Sequence, residues 1–161
     1  MNVPCYRVEP AERVAGAIAV PGDKSISHRA VMFGLLTVGE TVVTGLLEGE
    51  DVLRTADAAR ALGANVEHLG PGQWRVHGMG VGTLLEPRGV LAFGNAGTGS
   101  RLRMGVVGGH PIRATFDGDA SLRKRPMGRI LNPLRQMGVE VLDAAPGDRL
   151  PLTIRGADAC I

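Results

Sequence analysis

The sequence predicts an α/β fold, of the α+β kind, made of two copies of one βαβαββ unit. Three observations carry that expectation. Short alternating or β-branched apolar runs take turns with stretches of helical period, with glycines falling between them. Segments also recur: Leu62-Gly63-Ala64-Asn65-Val66 parallels Met137-Gly138-Val139-Glu140-Val141, and Trp74-Arg75-Val76-His77-Gly78 parallels Leu152-Thr153-Ile154-Arg155-Gly156. Finally, a polar or glycine-rich turn precedes the first helix of each copy, at Lys24-Ser25 and at Asn95-Ala96-Gly97-Thr98.

Residues 1–16 are weakly patterned and read as a separate N-terminal segment; the two units follow at about 17–88 and 89–161. Ala17-Ile18-Ala19-Val20 alternates and reads as a strand. The helix after it places Ala30, Val31, Gly34 and Leu35 on one face, and Gly39 is expected to stop it. Thr41–Thr44 reads as a strand. The acidic turn Glu48-Gly49-Glu50-Asp51 leads into a helix to Leu62, with Val52, Ala56, Ala59 and Leu62 at helical spacing. Asn65–His68 and Trp74–His77, joined by Gly70-Pro71-Gly72, form a hairpin.

From Val90 the order repeats: a strand to Phe93, the turn Gly94–Arg101 into a helix, and a strand Ile112–Phe116. The polar stretch Asp117–Arg125 comes next. A helix over 126–137 carries Met127, Ile130, Leu131, Leu134 and Met137 on one face, with Pro126 in its first turn. Strands Val139–Leu142 and Leu150–Ile154 complete the second copy.

Composition narrows the function classes. A hydrophobic share of 44% with 21% charged residues fits a globular chain. A net charge of +2 gives no bulk basic field for nucleic acid, and five aromatics are too few for a base-stacking platform. No stretch approaches the roughly 18 continuous apolar residues of a membrane span. Residues near the start include Glu9 and Glu12 and no apolar core of a signal peptide, so a cytoplasmic setting is expected. Cys5 and Cys160 have no metal-ligand spacing and read as reduced thiols.

The chemistry-bearing stretch is Pro21-Gly22-Asp23-Lys24-Ser25-Ile26-Ser27-His28-Arg29. A helix start offers unpaired N–H groups and partial positive charge; Lys24, Ser25 and Arg29 add donors, making a socket for phosphate or carboxylate. The alternative is an ordinary strand–turn–helix start with a solvated lysine. Gly94–Arg101 fits neither nucleotide fingerprint: a P-loop needs Lys and Ser/Thr where Ser100 and Arg101 stand, and a dinucleotide turn needs a small residue where Leu102 stands. Its glycines allow close approach to backbone N–H groups, with Asn95 and Thr98 as side-chain donors. In the basic run Ser121–Pro126, Arg125 directly precedes a proline and lies at a third helix start, where it can grip an anion bidentately. His28, His68, His77 and His110 show no metal spacing, and Asp51, Asp117 and Asp119 read as caps and turns.

Taken together, Pro21–Arg29, Gly94-Asn95-Ala96-Gly97-Thr98 and Arg123-Lys124-Arg125-Pro126-Met127-Gly128 resemble the 5-enolpyruvylshikimate-3-phosphate synthases (3-phosphoshikimate 1-carboxyvinyltransferases), most closely the bacterial class with glyphosate-tolerant members. The resemblance implies the enolpyruvyl transferase fold, with two of its usual six units present. It also implies transfer of the enolpyruvyl group of phosphoenolpyruvate to the 5-hydroxyl of shikimate 3-phosphate, on the route to chorismate and aromatic amino acids. By the same resemblance Lys24 contacts both substrates. Ser25 and Arg29 hold shikimate 3-phosphate, and Asn95, Gly97 and Arg125 line the phosphoenolpyruvate and glyphosate site. No metal or organic cofactor is implied. The partners are small anions, with neither nucleic acid nor membrane involved, and the intact family enzyme is expected to be a monomer. Some tolerant relatives place alanine where Gly97 stands, so an intact form is expected to be glyphosate-sensitive at this position.

Family members are much longer, with two lobes of three units each, and the N-terminal segment is associated with the other lobe. The second lobe and its acid–base carboxylates are absent from these 161 residues. The chain alone is therefore expected to lack transferase activity and to expose apolar surface that favours self-association. The alternatives are a non-catalytic truncated remnant, an anion-binding half-site, or the related UDP-N-acetylglucosamine enolpyruvyl transferase. The last carries Lys-Asn where this chain has Lys24-Ser25.

Overall fold

The computed structural model describes residues 5–158; Cys160 and the chain end at Ile161 lie outside them. Cys5 is exposed and free. The first sheet orders its strands β1 (Val38–Thr44), β3 (Gln73–Met79), β2 (Asn65–Gly70), with both pairings antiparallel. The second sheet runs β4 (Leu91–Ala92), β5 (Arg113–Asp117), β7 (Arg149–Arg155), β6 (Glu140–Ala145). Here β4 pairs parallel with β5, and the other pairings are antiparallel. Thus β5-β7-β6 repeats the arrangement β1-β3-β2. Register repeats it too: Val66 faces Val76 in one hairpin, and Val141 faces Ile154 in the other.

Helices α1 (Lys24–Leu36), α2 (Glu50–Ala61) and α3 (Gly97–Gly108) pack against one another between the sheets. A short α4 (Ala120–Arg123) and α5 (Gly128–Gln136) complete the second half. One continuous apolar core runs through both halves. It includes Val31, Leu35, Ala59 and Val76 on one side and Phe93, Met104, Phe116 and Ile154 on the other. The Phe93 and Phe116 rings lie nearly parallel, their centroids 6.0 Å apart.

The repeat is closed in each half by a glycine pressed against a helix end. A Cβ on Gly78 would stand 2.1 Å from the carbonyl oxygens of Gly34 and Thr37; on Gly156 it would stand 1.9 Å from that of His110 and 2.3 Å from that of Val107. His110 also ties the connection between the halves: Gly82 N–H donates to its Nε2 at 2.9 Å, leaving Nδ1–H to donate to Val106 O at 2.7 Å.

Three expectations about elements change. Residues 17–20 form no strand, and Ile18 and Val20 are 87% and 76% exposed. The helix of the first unit ends at Leu36, before Gly39, which lies within β1 at φ +96°. Helix α5 starts at Gly128, two residues after Pro126; Met127 is its N-cap, and the Met127 N–H donates to Asp148 O at 2.8 Å. No helix among the described residues is long and apolar enough to cross a membrane. An apolar cleft of about 340 Å³ opens between α1 and α3, lined by Met32, Leu36, Val81, Leu102, Val106 and His110 among others.

Candidate anion-binding site

Asp23 sets the start of α1. Its carboxylate accepts from Ile26 N–H at 2.7 Å, and Ser27 Oγ donates back to Asp23 O at 2.8 Å while accepting from Leu47 N–H at 2.9 Å. Lys24 and Ser25 then occupy the first turn, both exposed, and the Arg29 guanidinium donates to Ser25 O at 3.1 Å. The Lys24 ammonium is ion-paired with Asp51 in the first turn of α2. By sequence alone Asp51 reads as a cap; the fold makes it the counterion of Lys24. No local pattern pairs two residues so far apart in the chain.

At the second helix start Gly97 opens α3, with no side-chain cap and no acidic residue in the first turn. Gly97 N–H donates to Asn95 O at 2.8 Å, while no side chain caps the N–H groups of Thr98 and Gly99, which leaves them to an external acceptor. Arg125 donates to Asn95 Oδ1 at 2.5 Å. A methyl on Gly97 would meet Arg125 Nη1 at 3.0 Å and Arg101 Nη1 at 2.9 Å, so the missing side chain leaves room for two guanidinium groups.

The two helix starts are neighbours. Gly99 of α3 lies against Thr55 and His28, and Gly94 lies against Glu50, the residue before Asp51. Through these contacts the turn that carries Lys24 adjoins the turn that carries Asn95 and Gly97, and Arg125 joins the latter through Asn95. No hydrogen bond or ion pair among the described residues joins the Lys24 group directly to the Asn95 group. No cluster of His, Cys, Asp and Glu among the described residues could hold a metal ion.

Beneath the site lies a buried polar layer that sequence reading missed. His28 Nδ1 is 2.8 Å from Thr55 Oγ1, and Arg103 donates to Thr55 O at 3.1 Å; His28 and Arg103 are each 1% exposed. Burial pushes the Arg103 guanidinium down to about 10. Burial likewise holds the His28 imidazole below its ordinary 6.5, against the opposing pull of Asp51 and with help from Lys24. Since the unfolded chain takes up this proton first, the histidine's contribution to stability is present above pH 6.5 and drains away as pH falls below it. Urea midpoints measured from pH 8 to pH 5 should therefore drop more steeply for the natural chain than for His28→Gln. Parallel curves would contradict the assignment.

The family model for EPSP synthase (3-phosphoshikimate 1-carboxyvinyltransferase) matches residues 8–159. A 3-phosphoshikimate 1-carboxyvinyltransferase of Methylobacterium sp. (strain 4-46) is 67% identical over 91% of this chain and 32% of its own length. One from Chelativorans sp. (strain BNC1) is 61% identical over 93% of this chain and 33% of its own. The solved EPSP synthase of Acinetobacter baumannii superposes with a TM-score of 0.82 at 44% identity, covering 88% of this chain and 32% of that one. The chain thus spans about a third of the length of the relatives it matches. With the duplicated α/β units, the two adjacent helix starts and this match over nearly every residue, the chain belongs to the EPSP synthase family.

Proposed function

We propose that this chain supplies one side of the active site of an enzyme that transfers the enolpyruvyl group of phosphoenolpyruvate to the 5-hydroxyl of shikimate 3-phosphate, with release of phosphate. The observation that carries the reading is the pair of adjacent helix starts, one bearing Lys24, Ser25 and Arg29, the other flanked by Asn95, Gly97 and Arg125. Lys24, Ser25 and Arg29 hold shikimate 3-phosphate in this reading. Lys24 with Asn95, Gly97 and Arg125 holds phosphoenolpyruvate.

The physical demand fits these residue types. Two multiply charged anions repel each other, and bringing them within bonding distance needs fixed cations and N–H donors between them. As the hydroxyl adds and phosphate departs, charge builds on the phosphoryl oxygens, where preorganised guanidinium and ammonium groups stabilise it most. The acid–base role is assigned to no residue of this chain. The duplicated sheets support reading 17–88 and 89–161 as two units of a lobe, with 1–16 as a separate segment. A cytoplasmic setting belongs to the same reading.

Calorimetric titration of the chain tests the proposal. Shikimate 3-phosphate should bind about a hundredfold more tightly than shikimate, because two or three charge-assisted hydrogen bonds depend on the phosphate. Equal affinities, or no heat from either, would leave a non-catalytic remnant as the reading.

A further inference from the structure

Three arginines gather around one cavity without a carboxylate among them. Arg101, Arg125 and Arg129 line a space of about 500 Å³ together with Pro126 and Ile130. None of the three is ion-paired among the described residues. Their neighbours in sequence behave differently. Arg123 is paired with Asp117 at 2.5 Å, and Arg135 holds both oxygens of Asp148 at 3.0 and 2.8 Å. The carboxylates of Asp117 and Asp148 are thus already engaged by other arginines.

The backbone adds to the positive charge. Arg129 is in the first turn of α5, and Arg101 is in the second turn of α3; neither helix has an acidic residue in its first turn. A cation is disfavoured at a helix N-terminus, where the dipole is already positive. Arg101 is held in place by donating to Gly97 O at 3.2 Å and Pro126 O at 3.5 Å, which leaves part of its fork unused. Burial, and then repulsion from Arg125 and Arg129, lowers its affinity for its own proton. An anion bound among the three guanidinium groups would relieve this repulsion.

We propose that Arg101 and Arg129 complete, with Arg125, a three-arginine pocket that holds the phosphoryl group of a small phosphorylated anion. The inference rests on the preceding reading, in which Arg125 meets phosphoenolpyruvate, and assigns two further holding residues to that side of the site. The pocket is of small-ligand size. Guanidinium groups match phosphate oxygens in pairs, which lysine cannot do. Arg129 is exposed and its side chain makes no hydrogen bond or ion pair within the described residues, so its replacement leaves the fold intact.

The test titrates inorganic phosphate into the chain, followed by calorimetry, with and without saturating shikimate 3-phosphate. Arg129→Gln should weaken phosphate binding about tenfold, the loss of one charge-assisted contact. Arg123→Gln, altered outside the pocket, should stay within about twofold. Arg101→Gln should weaken it as well; because Arg101 also holds two carbonyls, Arg129→Gln is the deciding variant. If shikimate 3-phosphate binds but Arg129→Gln and the natural chain bind phosphate equally, this inference fails alone. If shikimate 3-phosphate does not bind while phosphate still depends on Arg129, the pocket stands and the substrate reading falls. Absence of phosphate binding under both conditions overturns the pocket.

Discussion

Alanine at Gly156 or at Gly78 should cost about 3 kcal/mol or more, beyond the 1–3 kcal/mol usual for overpacking. The added carbon would fall 1.9 Å from His110 O in one case and 2.1 Å from Gly34 O and Thr37 O in the other. These obstacles are backbone carbonyls at the ends of α3 and α1, so no rotamer change relieves them. The sheet would have to lift from the helix, opening the core around Val76 or Ile154, both fully buried. Small domains have only about 5–15 kcal/mol to lose, so a large part of the stability is at stake. Gly105 is the control: it lies inside α3 with nothing within 4 Å of an added methyl, and alanine there should stabilise by up to about 1 kcal/mol. Urea denaturation of the three variants checks this, and a loss under about 1 kcal/mol at Gly156 would show that the close approach is not obligatory.

Lys24→Ala should weaken binding of shikimate 3-phosphate by about ten- to a hundredfold while barely altering the fold. The Lys24–Asp51 pair is half-exposed on the lysine side, and such pairs contribute about 0–1 kcal/mol to stability. Toward a phosphate dianion the same ammonium contributes about 1.5–3 kcal/mol as a charge-assisted donor, and more where water is excluded. Asp51 competes with the ligand for that ammonium. Asp51→Asn should therefore tighten shikimate 3-phosphate binding as Lys24→Ala weakens it. Opposite signs in two variants of equal stability would separate a binding role from a structural one; a shared loss of stability and affinity would contradict it.

The fold was legible in the sequence because the duplication is. The hairpins at Val66–Val76 and Val141–Ile154, and the matched Gly78 and Gly156, follow directly from the recurring segments. What failed was local. Ala17–Val20 has the alternation of a strand, yet it joins neither sheet and Ile18 and Val20 remain exposed, so the alternation has no apolar face to bury. Pro126 has the φ of a helix start, but Met127 serves as the N-cap and α5 begins at Gly128, a boundary no local residue type marks. The site shows the same division. Lys24, Asn95, Gly97 and Arg125 carry their chemistry in short motifs, whereas Asp51 joins Lys24 only through packing of α1 on α2. Arg103 had a signal: its spacing from Ser100 and Val107 puts it on the inward face of α3. The usual exposure of arginine obscured it.

The most direct test of the central claim is a map of backbone amide shifts as shikimate 3-phosphate is added to the isotope-labelled chain. The largest shifts are expected at residues 23–29, with a second, smaller group at 95–99. Shifts confined to other surfaces, or none at saturating ligand, would contradict the assignment of these two helix starts as the substrate-holding side of the site.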